Sequence, residues 1–330
     1  MNKLLMGACL TMAMQVGHSQ TLPQLGKDPI EKIVAAMTAE EKVSLFVGTG
    51  MPGFGGQSAV VGSTQNLVPG AAGTTFPIER LGIPAIVVAD GPAGLRISPT
   101  REGNEATYYC TAFPVATLLA STWNTALVKN VGNAMGDEVK EYGCDVLLAP
   151  ALNIHRSPLC GRNFEYYSED PFVTGKLAGA MVRGIQSNNV GATVKHFALN
   201  NKETNRKNSD SRVSERAARE IYLKAFEMIV KDENPWAIMS SYNMINGYRA
   251  SESEDLLTGI LRDEWGYEGM VTSDWWTCGE HYKETKAGND LKMGNGYPDR
   301  VKKAYDKGAI SRSEMETSVK RILGLILKLD

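Results

Sequence analysis

GATVKHFALNN, residues 191–201, shows the pattern that decides the fold class: an apolar run that ends in charged and polar side chains. Near-continuous apolar runs of this kind are typical of parallel strands that are buried on both faces. The pattern recurs clearly in IPAIVVADGP (83–92), CDVLLAPALNIHR (144–156), PWAIMSSYNMING (235–247) and EGMVTSDWW (268–276), and more weakly in FPVATLLASTWN (113–124) and AGNDLKM (287–293). Because amphipathic stretches separate these runs, the sequence predicts right-handed βαβ units that share a parallel sheet.

Helix signals lie between the runs. Thr38 and Glu41 have the spacing of a capping box, and Ser313 and Glu316 have the same spacing at the start of the last helix. Residues 214–232 and the last helix both carry apolar side chains at helical spacing. These side chains are Ile221, Ala225, Phe226, Ile229, Val230, Val319, Ile322, Leu323 and Ile326.

The number of units favours a barrel, because about seven or eight βαβ units close most economically on themselves. We therefore predict an α/β fold: a TIM-like (β/α)8 barrel over residues 20–330, with an irregular or incomplete strand or helix. An open doubly wound sheet is the alternative. The C-terminal ends of the strands of a barrel meet around one opening, which carries the active site.

Polar side chains follow nearly every predicted strand, so we expect them to converge at that opening. They are Asp90, Arg96, Asn153, Arg162, Lys195, His196, Tyr242, Asn243 and Asp274. One such residue would be a chance event, but convergence from five or six strands predicts a functional site.

Composition excludes several classes of protein. The chain has 330 residues, of which 43% are apolar, and its 35 basic and 37 acidic side chains give a net charge of -2. No basic stripe suggests nucleic-acid binding, and beyond the N-terminus no apolar run is long enough for a membrane helix. Gly48, Gly50 and Gly53 match a dinucleotide fingerprint, but they follow a predicted helix rather than a strand. We therefore expect a loop there and no cofactor.

The first 19 residues predict a signal peptide, which would make the protein exported, either periplasmic or secreted. Lys3 supplies the positive charge, Leu4–Val16 supplies the apolar region, and Gly17-His18-Ser19 resembles a cleavage site. The alternative is a buried N-terminal helix.

Cys9 lies in the predicted signal peptide. The other cysteines are expected to be free, buried thiols, because a chain of this length does not need disulfides to fold; two disulfides are the alternative. They are Cys110, Cys144, Cys160 and Cys278. Cys278 and His281 have the spacing of half a zinc site, but no second half is near in sequence, so no metal is predicted.

The residue types at the opening suit a sugar as substrate. They combine carboxylates and cations with two adjacent rings, Trp275 and Trp276, while a serine nucleophile elbow, a metal-ligand cluster and a phosphate loop are all missing. Sugar hydroxyls need several hydrogen-bonding partners, and an Asp at a strand end can attack an anomeric carbon to form a glycosyl-enzyme. An aldolase that uses Lys195 as a Schiff base is a distant alternative.

Several long motifs resemble the N-terminal barrel domain of glycoside hydrolase family three, the β-glucosidase and β-xylosidase family. The resemblance covers roughly residues 30–329. It rests on VVADGPAGLR (87–96), GRNFEYYSEDP (161–171), TVKHFALNNKETNR (193–206), SERAAREIYLKAFE (214–227), MSSYNMINGY (239–248) and VTSDWW (271–276).

The resemblance implies a role for each matching residue. Asp274 would be the catalytic nucleophile, and Asp90 would bind hydroxyls far from the cleaved bond. Tyr242 would hydrogen-bond or orient Asp274, and Trp275 would line the entrance where the leaving group binds. The other implied sugar ligands are Arg96, Arg162, Lys195 and His196. Glu165, in the same motif as Arg162, would hold that side chain in position.

Retaining hydrolysis also needs a general acid/base about 5–5.5 Å from the nucleophile. In most of the family this Glu lies in a second domain, and in single-domain relatives a His/Asp dyad follows a KHFPGHG-type motif. This sequence reads KHFALNNKETNR there, with no His between His196 and His281, so the dyad is absent. The acid/base is therefore not identifiable.

Three interpretations follow. The chain is the barrel part of a longer enzyme, a subunit whose partner polypeptide supplies the Glu, or a catalytically impaired sugar-binding barrel. The first is favoured, as a retaining exo-acting β-glycosidase that acts on β-linked glycosides or oligosaccharides from plant polysaccharide. A missing second domain would expose an apolar patch above the barrel, so a homo-oligomer is also expected.

Overall fold

The strands form two sheets in the structure, a computed structural model that describes residues 22–48, 67–294 and 296–329. The strands are β1 (Gly73–Thr74), β2 (Val87–Asp90), β3 (Val146–Leu148), β4 (Gly191–Phe197), β5 (Asp210–Ser211), β6 (Ala237–Ser240), β7 (Met244–Ile245), β8 (Tyr248–Arg249) and β9 (Met270–Ser273). The main sheet has the order β1-β2-β3-β4-β6-β9, in which only β1 is antiparallel to its neighbour. The small sheet has the order β5-β7-β8.

Helices connect the parallel strands, as the sequence predicts. They are α1 (Ile30–Ala36), α2 (Ala39–Leu45), α3 (Ala116–Ala120), α4 (Thr125–Glu141), α5 (Pro171–Gln186), α6 (Glu215–Ala217), α7 (Lys224–Glu233), α8 (His281–Ala287), α9 (Pro298–Asp306) and α10 (Arg312–Leu329). Two wider, π-helical segments cover Ala218–Tyr222 and Asp255–Glu264. Within the described ranges, no helix is both long enough and apolar enough to cross a bilayer.

The main sheet curls so that its two ends meet. The indole Nε1 of Trp275, just after β9, donates a hydrogen bond of 2.9 Å to the carbonyl of Ala72, just before β1. Beyond β9, Leu291 pairs with Thr272 and Lys292 pairs with Val47, which adds two short parallel bridges. The described residues therefore form an α/β fold with a curled, incomplete barrel, which confirms the predicted fold class and its irregular strand.

The strands are buried on both faces, which explains their near-continuous apolar runs. On β3, Leu147 packs in the cluster beneath α4, α5 and α7, while Val146 and Leu148 belong to a second cluster with α1 and α10. Successive side chains point to opposite faces of a strand, so each face of the sheet packs against its own set of helices.

Three local predictions need correction. The weak run at 113–124 forms helix α3 instead of a strand, because Ala116, Leu119 and Ala120 are buried at helical spacing. The helix predicted over 214–232 is interrupted at Ala218–Tyr222, which leaves Ile221 40% exposed. The cap of α10 is Ser311 rather than Ser313.

Hydrogen bonds identify both caps. Ser311 Oγ accepts from the Glu314 amide at 3.2 Å, and Glu314 accepts from the Ser311 amide at 2.6 Å, which completes a capping box two residues earlier than predicted. The predicted box of Thr38 and Glu41 at the start of α2 is confirmed.

The four cysteines that the structure describes are free, as predicted, but they are not all buried. Cys144 is buried, Cys110 and Cys160 are half-buried, and Cys278 is exposed. The predicted signal peptide lies outside the described residues, as does most of the Gly48–Gly53 loop.

Candidate active site

The C-terminal ends of the parallel strands surround a cavity of about 340 Å³, a volume within the usual range for small-molecule sites. Six of the nine strand-end residues that the sequence predicts to converge line this cavity. The lining residues are Ala72, Asp90, Arg96, Leu148, Arg162, Lys195, His196, Arg206, Met239, Asp274, Trp275 and Trp276.

Asp90, the last residue of β2, is held by two cations on one side of the cavity. Lys195 Nζ donates to its Oδ1 at 2.9 Å, and Arg96 donates to its Oδ2 at 3.0 Å. Burial raises the pKa of Asp90, but the two cations outweigh this effect and bring the pKa below its ordinary value. Asp90 is therefore ionised at neutral pH, which suits a group that accepts hydrogen bonds from sugar hydroxyls.

Asp274 follows β9 and is far less well paired. Its Oδ1 accepts from the Trp275 amide at 2.7 Å, whereas its Oδ2 is buried and has no hydrogen-bond partner. Burial raises the pKa of Asp274 above its ordinary value, although Arg162 and the Trp275 amide partly offset the rise. A buried carboxylate oxygen without a partner calls for an explanation, and a nucleophile that awaits substrate is one.

His196 faces this free oxygen from β4. Its Nε2 lies 3.8 Å from Asp274 Oδ2, and its Nδ1 lies 3.3 Å from the hydroxyl of Tyr166. Burial, together with Arg162, Lys195 and other nearby cations, holds the pKa of His196 well below its ordinary value, so the ring is neutral. A neutral imidazole donates or accepts hydrogen bonds here but makes no ion pair with Asp274.

An irregularity in β4 lets Lys195 and His196 share the cavity. Lys195 pairs with Met239 and Phe197 pairs with Ser240, so His196 is an extra residue in the strand. Successive side chains normally point to opposite faces, and such a bulge redirects one of them. The side chain of Asn153 bonds to both the amide and the carbonyl of His196, each at 2.9 Å, and fixes this segment.

Arg162 approaches the cavity from the loop after β3. It forms an ion pair with Glu165, as the sequence predicts, and both side chains are mostly buried. Burial disfavours the charge of Arg162, but Tyr166, Glu165 and Asp274 outweigh this and raise its pKa. Arg162 therefore stays charged and provides the largest attraction that opposes the raised pKa of Asp274.

Tyr242 lies beside the cavity rather than among the residues that line it. Its hydroxyl donates at 2.6 Å to the carbonyl of Trp275, the residue after Asp274, and Tyr242 also acts on the Asp274 side chain, whose pKa it helps to lower against the effect of burial. The guanidinium of Arg206 stacks over the Tyr242 ring at 4.5 Å and reaches the cavity, held by an ion pair with Glu203 at 2.9 Å.

Sequence reasoning missed Arg206 as a residue of the site, and it gave Trp276 no role beyond a ring beside Asp274. Arg206 is the last residue of the motif TVKHFALNNKETNR, but sequence alone does not show that the loop returns to the opening. Trp276 has a left-handed backbone, with φ of 57°, and is half-buried at the cavity. Trp275 lines the cavity too but is 6% exposed and bonds to Ala72, so its predicted place at the entrance remains a prediction.

The arrangement offers one underpaired carboxylate, one fully paired carboxylate and a ring of donors. Among the described residues, no three His, Cys, Asp or Glu side chains are grouped as a metal site requires. The chemistry that these groups support is attack by Asp274 on a polar, polyhydroxylated substrate that is held by Asp90 and the cations.

Comparison with known proteins agrees with this geometry. Residues 62–325 match the model of the glycosyl hydrolase family 3 N-terminal domain. The chain belongs to glycosyl hydrolase family 3. It is 62% identical over 239 residues to β-glucosidase A of Butyrivibrio fibrisolvens, with 72% of this chain and 28% of that protein covered. It is 43% identical over 256 residues to an exo-α-(1→6)-L-arabinopyranosidase of Bifidobacterium longum, with 76% of this chain and 34% of that protein covered.

A solved structure of a family 3 relative has the same fold. β-Glucosidase 3B from Thermotoga neapolitana, in complex with α-D-glucose, superposes with a TM-score of 0.87 at 50% identity, over 91% of this chain and 43% of that one. These family 3 relatives are thus longer: this chain spans about a third of the length of the Butyrivibrio and Bifidobacterium enzymes and under half of the Thermotoga enzyme.

Proposed function

We propose that this chain forms the nucleophile-bearing, sugar-binding barrel of a retaining exo-acting β-glycosidase, of the β-glucosidase or β-xylosidase type. The observation that carries the proposal is the buried, unpartnered Oδ2 of Asp274 at the cavity. Arg162 opposes the rise in the pKa of this carboxylate that burial causes, which favours the anionic form needed for attack. An exo action agrees with a cavity of about 340 Å³, which accommodates a terminal sugar rather than a long chain.

In the proposed reaction Asp274 attacks the anomeric carbon, the bond to the leaving oxygen breaks, and a glycosyl-enzyme forms. Asp90, Lys195 and Arg96 bind hydroxyls and hold the ring in place. Water then attacks the same carbon, the bond to Asp274 breaks, and the sugar is released with its configuration retained. Each step needs a second group that first protonates the leaving oxygen and then activates water.

The described cavity residues do not include a suitable acid/base. Asp90 is unsuitable because its lowered pKa keeps it ionised, and His196 is unsuitable because its lowered pKa leaves no imidazolium to donate a proton. We therefore place the acid/base outside this set, in a further domain or in a partner polypeptide, and the greater length of the relatives supports this placement. A general acid contributes about 10²–10⁴-fold, so ordinary glycosides test the chain poorly.

The relatives direct the choice of substrate. Several are β-glucosidases, which makes β-glucosides the first substrate to test and β-xylosides the second. The arabinopyranosidase from Bifidobacterium longum shows that relatives of similar identity differ in sugar preference. The proposal also includes export to the periplasm or the medium, on the strength of residues 1–19.

Two experiments address the reaction and the export. The full chain is incubated with 2-deoxy-2-fluoro-β-glucosyl fluoride, whose leaving group needs little protonation, and is then analysed by intact mass and peptide mapping. One added glycosyl unit on Asp274 supports the proposal. Glucose binding without an adduct would instead favour a sugar-binding barrel that does not react.

Cell fractionation and the N-terminal sequence of the mature protein test export, which predicts a chain that begins at Gln20.

A further inference from the structure

Lys292 is a buried cation that the proposed reaction does not use. It lies in the segment that follows α8 and pairs with Val47, and its side chain is only 2% exposed. Its ammonium donates to three acceptors: Glu284 Oε2 at 2.5 Å, Thr277 Oγ1 at 2.9 Å and the Gly279 carbonyl at 3.0 Å. Three donors meet three acceptors, so the charge is fully satisfied.

Glu284, on α8, completes the same network. Its side chain is 0% exposed, and its second oxygen accepts from Ser251 at 2.8 Å and from Thr277 at 2.9 Å. A Cβ on Gly279 would lie 2.2 Å from this oxygen, so the loop backbone packs directly on the carboxylate. Glu284 and Lys292 together therefore hold Thr277 and Gly279, the third and fifth residues after Asp274, through hydrogen bonds and close packing.

The same segment also holds the residues nearer to the nucleophile. The Met293 carbonyl accepts from the Trp276 amide at 3.2 Å, and the Met293 amide donates to Ser273 Oγ at 3.0 Å. A Cβ on Gly294 would lie 2.9 Å from the Trp276 amide, and φ of 86° at Gly294 favours glycine. Residues 292–294 thus pack against residues 273–279 and hold them through hydrogen bonds and close backbone contacts.

We infer that the buried Glu284–Lys292 pair positions the 274–279 loop, and so sets Trp276 and the Asp274 carboxylate at the sugar cavity. Neither side chain lines the cavity, so both are positioning residues that act through the loop. A buried ion pair is often no more stabilising than apolar groups of the same shape. Stability alone therefore does not explain the Glu284–Lys292 pair, whereas its contacts to the loop do. A displacement of about 1 Å at a reacting group costs as much as 10²-fold in rate.

The test separates positioning from stability by comparing single and double variants of the full chain. Lys292→Met leaves a buried carboxylate without its cation, so it should lower the melting temperature. Lys292→Met/Glu284→Leu removes both charges and should recover most of that loss, yet its labelling by the 2-fluoroglucosyl donor should stay slower than wild type by about 10–10²-fold. Hydrogen exchange of the 276–279 amides should be faster than in wild type.

Two further variants make the comparison decisive. Thr277→Val leaves the ion pair intact but removes its hydroxyl link to the loop, so it should fold and still show fast exchange and slow labelling. Lys42→Met breaks a partly buried pair with Glu316, whose members line no part of the cavity, and should leave labelling and loop exchange unchanged.

Wild-type exchange at 276–279 in both the double variant and Thr277→Val would overturn the inference, as would wild-type labelling rates in both. If the double variant does not fold, Thr277→Val alone decides. The catalytic readout rests on the proposed function. If even the wild-type chain is not labelled, that function is contradicted, while the exchange measurement still decides whether the pair positions the loop.

Discussion

Asp90 and Asp274 are two carboxylates in one cavity, and their surroundings are opposite. Asp90 ends β2, is 30% exposed and meets Lys195 and Arg96 with both oxygens. Asp274 follows β9, is 11% exposed and has one oxygen without a partner. The pKa of Asp90 is lowered despite burial, whereas burial raises the pKa of Asp274. These opposite surroundings agree with the different tasks proposed for the two groups.

The difference in pairing explains why a glycosidase barrel would contain one fully paired carboxylate and one carboxylate with an unpaired oxygen. A group that only binds hydroxyls gains from full pairing, because fixed cations orient it and hold its charge. A nucleophile loses reactivity when every lone pair is already engaged, so it is kept accessible to the substrate at some cost in stability. Substitutions at each carboxylate test this division of labour.

The largest effect should come from Asp274→Asn. This change removes the attacking carboxylate but keeps the shape of the side chain, so labelling by the 2-fluoroglucosyl donor should fall by at least about 10⁴-fold. Glucose binding, measured by calorimetry, should stay within about threefold of wild type because the hydroxyl ligands remain. An adduct on another residue of the variant, formed at the wild-type rate, would contradict the assignment.

Asp90→Asn should impair binding instead. Loss of charged hydrogen bonds to hydroxyls costs about 1.5–3 kcal/mol, which corresponds to about 10–10²-fold weaker glucose binding in calorimetry. The variant should also lose about 3 kcal/mol of unfolding free energy, at the low end for a broken buried pair because Asp90 is 30% exposed. Its adduct, once formed at high donor concentration, should still map to Asp274. Unchanged glucose affinity would remove Asp90 from the sugar site.

The sequence made much of this comparison accessible beforehand. Each of the two residues ends a run that is buried on both faces, and the C-terminal ends of parallel strands meet at one opening. That rule also places Arg96, Lys195 and His196 at the cavity. The predicted buried face of a helix is confirmed where the apolar pattern extends over several turns. This is the case in α10, where Val319, Ile322, Leu323 and Ile326 are all buried.

What the sequence did not reveal depends on contacts between distant segments. The extra residue at His196 is a register shift against β6, and the return of Arg206 to the cavity depends on a loop anchored by Glu203. The opposite pKa shifts of Asp90 and Asp274 arise from which cations lie within reach after folding. Neither spacing nor composition encodes these distances.

Acid titration of stability should show the two carboxylates with opposite signs. Asp90 has a lowered pKa, so it stabilises the fold above the ordinary Asp value of about 3.9, and this contribution is lost as the pH falls through the folded pKa. Asp274 has a raised pKa, so its ionised form costs stability at neutral pH, and the cost disappears as the pH falls through that pKa.

Melting temperatures of the two Asn variants between about pH 3 and pH 8 test these signs. At pH 7, Asp274→Asn should melt above wild type and Asp90→Asn below it. The Asp274→Asn difference should shrink as the pH falls toward the ordinary Asp value, whereas the Asp90→Asn difference should shrink only below that value. Differences of the same sign for both variants at pH 7 would show that the two environments are not opposed.

The smallest effect concerns a stability change remote from both carboxylates. Ser311 caps α10 through its hydroxyl, so Ser311→Ala should cost about 1 kcal/mol in urea unfolding. Ser313→Ala, the matched control at the cap position that the sequence pattern predicts, should cost less than half of that. Neither change should alter glucose affinity or labelling of Asp274, because no residue of this cap lines the cavity. The Ser311→Ala and Ser313→Ala variants therefore provide the baseline for Asp90→Asn. If the loss of stability in Ser311→Ala weakened glucose binding as much as Asp90→Asn does, the weaker binding in Asp90→Asn would report general loosening of the fold rather than the loss of a sugar ligand.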